Sequence, residues 1–216
     1  VSSLEEAVLQ LGFGQIYCLV AASCGVHSMG RSGRARDAGE RKLWSHSVVA
    51  AVGAQLIARD QGSDANLAFT AALLHDIGKI VVADVLDEKY TKLVEEVEAN
   101  HYSLIDMERR VFGLQHAELG GRLLARGKFP RNLVVPVCFH HNPVAAAGHH
   151  PVAACIYAGN LIAYLAGHGR GNPGLLQAEH NAELGILKRD NAALKDYTQE
   201  VQSEFAKLQV LIQMGA

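Results

Sequence analysis

Leu73-Leu74-His75-Asp76-Ile77-Gly78-Lys79 closes an apolar run, Ala68 to Leu74, with an imidazole beside a carboxylate, then a glycine and a lysine. Neighbouring His and Asp side chains can both ligate one hard or borderline metal ion. Burying an unpaired carboxylate is costly, so Asp76 at the edge of an apolar helix needs a reason. His46, His116 and the pair His140-His141 lie at spacings that could complete a metal site around it. Neutral imidazoles with one carboxylate suit iron, manganese, zinc or another first-row ion, and the carboxylate can bridge two of them. A lone buried histidine is more often a hydrogen-bonded core residue than a ligand. A His-Asp pair with a distant His-His pair is much harder to assign to packing. His149, His150 and His168 sit in Gly-rich loops and are expected to be solvated.

Helices must position these groups. Aromatic residues make up only 6% of the 216 residues, Ala and Leu are abundant, and no segment alternates as a strand does, so the class is all-α. Ser3-Leu4-Glu5-Glu6-Ala7 reads as an N-cap and acidic first turn of a helix that stops near Gly12, and a second helix follows from Gln15 to about Cys24. Ser28 to Gly39, with three Gly and three Arg and no periodicity, reads as a loop. A helix over about Lys42 to Arg59 then carries His46 on the side of Val49 and Ala50. Asp64 to His75 is apolar nearly all round and therefore central. After a linking stretch come Glu88 to Asn100, a short helix ending at Phe112-Gly113, a helix opening at His116 and closing near Gly127, Asn132 to His140, and Pro151 to Gly167.

The tail differs in character. Leu187, Leu194, Val201 and Leu208 recur every seven residues, with Phe205 and Ile212 four after the last two. This stripe suits either a coiled-coil segment or a helix docked on its own domain. The reading is a domain over residues 1–170 and a C-terminal helix over 175–216, with a homodimer through that helix as one consequence. A formal charge of −2 argues against a nucleic-acid polymer as partner, though not against a small phosphorylated ligand. Cys18, Cys24, Cys138 and Cys155 form no C-x-x-C pair and read as buried free thiols of a reducing compartment, a Cys18–Cys24 bridge being the lesser alternative. No membrane-length apolar run or secretory leader is visible, so a cytoplasmic location is expected.

Taken together, His75-Asp76-Ile77-Gly78-Lys79, Trp44-Ser45-His46-Ser47 upstream, and His116-Ala117-Glu118-Leu119-Gly120 and His140-His141-Asn142-Pro143 downstream resemble the HDOD branch of the HD superfamily of metal-dependent phosphohydrolases. Ser2 to Gly12 is similar to that branch too, and the resemblance runs from about residue 1 to 168. It implies an HD-like helical bundle with an extended C-terminal helix, and a role in bacterial signal transduction with signalling proteins or a fused receiver or output domain as partners. The family usually carries a further helical stretch before this point, so a fragment of a longer protein is expected.

The related HD-GYP phosphodiesterases hydrolyse cyclic di-GMP at a multi-metal centre. By that resemblance His46, His75 and Asp76 would bind one metal, with Asn160 where a terminal aspartate is usual. Asp76, His116, His140 and His141 would bind the second, Asp76 bridging. Asp76 and Lys79 would be the catalytic pair, Lys79 contacting substrate phosphate, although a lysine at a helix end can also complement the C-terminal dipole. Glu108 and Glu118 could orient imidazoles, but read more simply as a solvated residue and a first-turn acid. The sequence departs from the enzymes in two ways: an amide replaces a carboxylate at Asn160, and no Gly-Tyr-Pro loop follows His140-His141. Two readings follow: a non-catalytic or cryptic signalling module that keeps a metal box, and an active hydrolase of a nucleotide or cyclic dinucleotide.

Overall fold

The computed structural model describes residues 34–86, 88–169, 181–188 and 191–214, with side chains from 42 onward except 181–183, 191–192 and those after 207. The two helices expected before Gly30, with Cys18, Cys24 and the family-like opening, lie outside the described residues. The chain forms α1 (Arg34–Asp60), α2 (Ala65–Leu74), α3 (Ile77–Leu86), α4 (Glu88–Asn100), α5 (Leu104–Phe112), α6 (His116–Arg126), α7 (Arg131–Cys138), a 3-10 segment (Pro143–His149), α8 (His150–Leu165), α9 (Asn181–Ile186) and α10 (Asn191–Met214). No strand occurs among the described residues. None of their helices is long and apolar enough to cross a membrane.

Two boundaries differ from expectation. Helix α1 begins at Arg34, so the latter half of the expected loop Ser28–Gly39 is helical. Ala and Arg are strong helix formers, and extending an existing helix is far easier than nucleating one, which outweighs the glycine at 39. The expected linking stretch after Lys79 is α3, whose Ile, Val and Gly content hides a helix that tertiary packing stabilises.

Helices α1 and α8 run antiparallel and nearly touch. Gly53 faces the Gly159 Cα, and a Cβ on Gly159 would collide with the Ala50 carbonyl oxygen. Helix α2 lies across this pair, its N-terminus capped by Asp64, which accepts bonds from the amides of Asn66 and Leu67. Ile57, Phe69 and Ile156 are fully enclosed in this main core, each stabilising it by about 1.5–3 kcal/mol. A second, smaller cluster joins Val82, Tyr90, Leu93 and Val97 between α3, α4 and α5.

Leu184, Leu187, Leu194, Tyr197 and Val201 are buried in the main core. The described portion of the heptad-like stripe therefore packs on its own domain, the second of the two alternatives. Helix α10 is tied to the end of α1 by the Tyr197 hydroxyl, which donates to Asp60 Oδ2 at 2.6 Å. Gln61 Nε2 donates to the Leu187 carbonyl at 2.9 Å. Cys138 and Cys155 are free thiols.

Candidate metal centre

Close helix contacts at small residues bring the ligands together. The turn His75-Asp76 joins α2 to α3, and a Cβ on Gly78 would collide with the His116 carbonyl oxygen, so only glycine lets α3 start against the start of α6. Gly121 lies against Cys138 in the same way, setting α6 beside the end of α7 and hence His116 beside His140 and His141. His46 comes from α1, one turn before its contact with Gly159.

The result is a chain of rings around one carboxylate. His75 and His140 meet edge to face with centroids 4.8 Å apart, and His116 meets His141 at 4.9 Å. Nε2 of His46 and of His75 lie 3.6 and 3.4 Å from Asp76 Oδ2, while His116 Nε2 lies 3.3 Å from Asp76 Oδ1. One ligating atom each from His46, His75 and Asp76 falls within 4.8 Å of the others, and the same holds for His116, His140 and His141. His46, His75, Asp76, His116 and His140 are all at most 4% exposed, so water does not screen them. Asn160 is buried on α8, one turn before Tyr164, whose ring meets that of His46 at 5.4 Å.

The tautomers follow from the partners. His75 Nδ1–H donates to the Ala72 carbonyl at 2.6 Å, His140 Nδ1–H to Val137 at 2.7 Å, and His46 Nδ1–H to His168 at 3.2 Å. A carbonyl only accepts, so in a neutral ring the proton sits on Nδ1 and Nε2 presents a lone pair. These lone pairs face one another and a carboxylate. Burial holds the rings neutral: His46 is lowered to about 3, and His75, His140 and His141 are lowered too, burial being the largest cause in each. Nε2 of His46, His75 and His140, Oδ1 of Asp76 and Oδ1 of Asn160 are buried without a hydrogen-bond partner. Buried polar atoms are overwhelmingly paired, and converging imidazole lone pairs beside a carboxylate are what a divalent cation requires. The donor set fits a metal.

Charge around Asp76 is arranged to keep it ionised. Burial alone would raise its carboxyl, but its surroundings, with the Lys79 ammonium and the His116 hydrogen bond among them, hold it well below the usual range. Lys79 Nζ donates to Asp76 Oδ2 at 2.8 Å. Lys79 sits in the first turn of α3, at the positive end of that helix, so it does not complement a C-terminal dipole.

Two residues were misjudged from sequence. Glu108 is not solvated but 1% exposed. It accepts from the His116 amide at 2.8 Å, from His116 Nδ1–H at 2.6 Å and from the Tyr90 hydroxyl at 2.9 Å. Burial would raise the Glu108 carboxyl, but the bonds and charge of His116 hold it below its ordinary value, and the two carboxylates around His116 raise that ring in turn. His168, expected in solvent, is half-buried, with Nδ1 hydrogen-bonded to Ser45 Oγ at 2.6 Å. Glu118 is the surface acid expected, paired with Arg122. The sequence did carry a signal for Glu108. Leu104, Glu108 and Phe112 fall four apart along α5, a carboxylate inside an apolar stripe.

An all-helical bundle enclosing a His-Asp box defines the class of protein. The HDOD domain model matches residues 1–143, and the chain belongs to that family. It is similar to a solved HDOD domain protein with unknown function from Geobacter sulfurreducens, at 22% identity and TM-score 0.71 over 98% of this chain and 74% of that one. It also resembles a "Putative phosphohydrolase" from Shewanella amazonensis SB2B (21%, 0.65, covering 96% and 77%). A "Putative signal transduction protein" from Marinobacter aquaeolei VT8 is similar as well (20%, 0.65, covering 80% and 38%). Among curated proteins it is 26% identical over 161 residues to an uncharacterized protein of Treponema pallidum, spanning 73% of this chain but only 31% of that relative's length.

Proposed function

We propose that this chain is a bacterial HDOD signalling module that holds divalent metal without turning over a substrate. The observation carrying this reading is the set of buried, unpartnered Nε2 atoms of His46, His75 and His140 around an ionised Asp76, each ring fixed through its Nδ1. His46, His75, Asp76 and Asn160 would hold a first ion, and Asp76, His116, His140 and His141 a second. Mixed imidazole and carboxylate donors suit iron, manganese or zinc. A bound divalent ion supplies Lewis acidity and a fixed positive charge at the junction of α1, α2, α6 and α7. Glu108 keeps the His116 proton at Nδ1, so that Nε2 faces Asp76. Lys79 neutralises Asp76 and has its ammonium turned inward rather than offered to a phosphate. With Asp76 2% exposed and no Gly-Tyr-Pro loop after His141, the centre favours coordination over access. A cytoplasmic location and partnership with signalling proteins or a fused receiver or output domain belong to the same proposal.

Metal analysis of protein purified without chelator, beside His75→Ala and His140→Ala, tests it. About two equivalents of metal in the parent, fewer in each variant, and no hydrolysis of cyclic di-GMP or simple phosphodiesters is the expected outcome. Folded protein with no metal in any form overturns it. The second reading, a metal-dependent phosphohydrolase, is favoured by the five histidines with Asp76 and Lys79; turnover abolished in both variants would establish it.

A further inference from the structure

We propose that His168 and Phe205 are positioning residues of the metal centre, through which helix α10 holds His46. The first metal position then depends on α10 being docked, while the second, backed by Glu108 and Tyr90, does not. The inference rests on the metal-binding reading above and concerns how that site is regulated.

The bonds that orient the ligands differ in origin. His75 and His140 take theirs from carbonyls three residues earlier in the chain, and His116 from Glu108, eight residues away. His46 takes its bond from His168, which is 122 residues away. The carbonyl of His168 is placed by the end of α8. Gly167 adopts φ 84°, Gly167 N–H donates to Tyr164 O at 3.0 Å, and His168 N–H donates to Ala163 O at 2.9 Å. This paired closure of the helix terminus needs a left-handed residue at its turn, hence the glycine. The next residue, Gly169, lies against the Tyr164 ring so closely that a Cβ would collide with it, and Tyr164 in turn meets His46. The segment after α8 thus supports His46 from two sides.

That segment is fastened by its side chains. His168 reaches Ser45, the residue before His46, on one side. On the other it meets the Phe205 ring edge to face, with centroids 4.8 Å apart. Phe205 lies one turn beyond Val201, which is fully buried in the main core. His168 and Phe205 line a shallow, partly open pocket with Val49, Ala166 and Gln202. Phe205 is thus the α10 side chain that touches His168. Orienting partners of a metal ligand typically change affinity 10–100-fold when lost. By linkage, whatever factor docked α10 adds to metal affinity, metal adds to the docking of α10.

The test is a titration of the chelator-stripped 216-residue chain with Mn²⁺ by calorimetry, paired with hydrogen exchange of the α10 amides. The parent should show two binding events, and Mn²⁺ should slow exchange in the second half of α10. Phe205→Ala should weaken one event roughly 10–100-fold and leave the other intact, and Phe205→Tyr should restore it. His168→Ala keeps the carbonyl but loses both side-chain anchors. It should weaken the same event without altering the buried face of α10, which covers the case in which Phe205→Ala loosens the helix as a whole. His46→Ala should remove that event and the effect of Mn²⁺ on exchange together. Two unchanged events in both Phe205→Ala and His168→Ala, two equally weakened ones, or exchange indifferent to bound Mn²⁺ overturns the proposal. Absence of any Mn²⁺ binding by the folded parent overturns the metal-binding reading itself, a result distinct from the other three.

Discussion

Glu108 shows how much of a candidate metal site lies in groups outside the proposed ligands. Its two oxygens collect three donors, and one of these bonds fixes the His116 tautomer. Glu108→Gln preserves shape but offers an amide where three donors converge. It should lower metal affinity at the His116 position about 10–100-fold, read by competition with a fluorescent chelator. A wild-type affinity would show that His116 is held by packing alone. The neutral histidines also predict acid sensitivity. Folded His46 protonates only near 3, against 6.5 ordinarily, so on acidification the unfolded chain takes up a proton that the folded chain refuses. That contribution is absent above about 6.5 and destabilises progressively below it, by roughly 2 kcal/mol at pH 5. Metal-free protein should melt at falling temperature from pH 7 to 5, and His46→Gln should flatten the slope; an equal slope in that variant would rule His46 out as its source. His75, Asp76, His116, His140 and His141 were legible because their residue types and spacing are themselves the signal. Ser45, Tyr90 and His168 were not, because a hydroxyl or a main-chain carbonyl acquires its role only when a distant segment arrives beside it.

Among the elements, glycine spacing decides how near the ligands stand. Gly78→Ala drives a methyl into the His116 carbonyl, and since a Cβ cannot rotate away and its partner is backbone, α3 and α6 must move apart. The expected cost is about 1–3 kcal/mol in urea denaturation, with metal binding impaired beyond what the stability loss explains. An alanine variant of parental stability would mean that the two helices can separate freely. Leu194→Ala empties a site 3% exposed in the main core and should cost about 2–5 kcal/mol. Most helices were legible from periodicity and punctuation: Asp64 and Ser103 cap α2 and α5, and Gly113 closes α5 at φ 78°. Helix α3 was not, since Ile-Gly-Lys-Ile-Val-Val has poor intrinsic helicity and owes its form to packing against α6. The heptad-like stripe showed apolar residues on one face of α10, but a face does not name its partner; the partner is α1 and α8.

At the scale of the molecule, α10 closes the main core, and so its loss should expose apolar surface rather than merely dissociate a dimer. Removing residues 189–216 should lower solubility and melting temperature, measured by sedimentation and calorimetry. A stable, smaller-stoichiometry species would favour the homodimer instead. The two hydrophobic clusters have a separate consequence. Leu73 belongs to the main core and Val82 to the smaller cluster, and the chain passes from one to the other through His75-Asp76 with no linker. The lobe of α3, α4 and α5 thus turns on a hinge at the carboxylate that both proposed ions would share, and is fastened to α6 at Gly78 and Glu108. Withdrawing metal would unfasten that hinge, and the lobe of α3 to α5 should then open as a unit before the rest of the molecule yields.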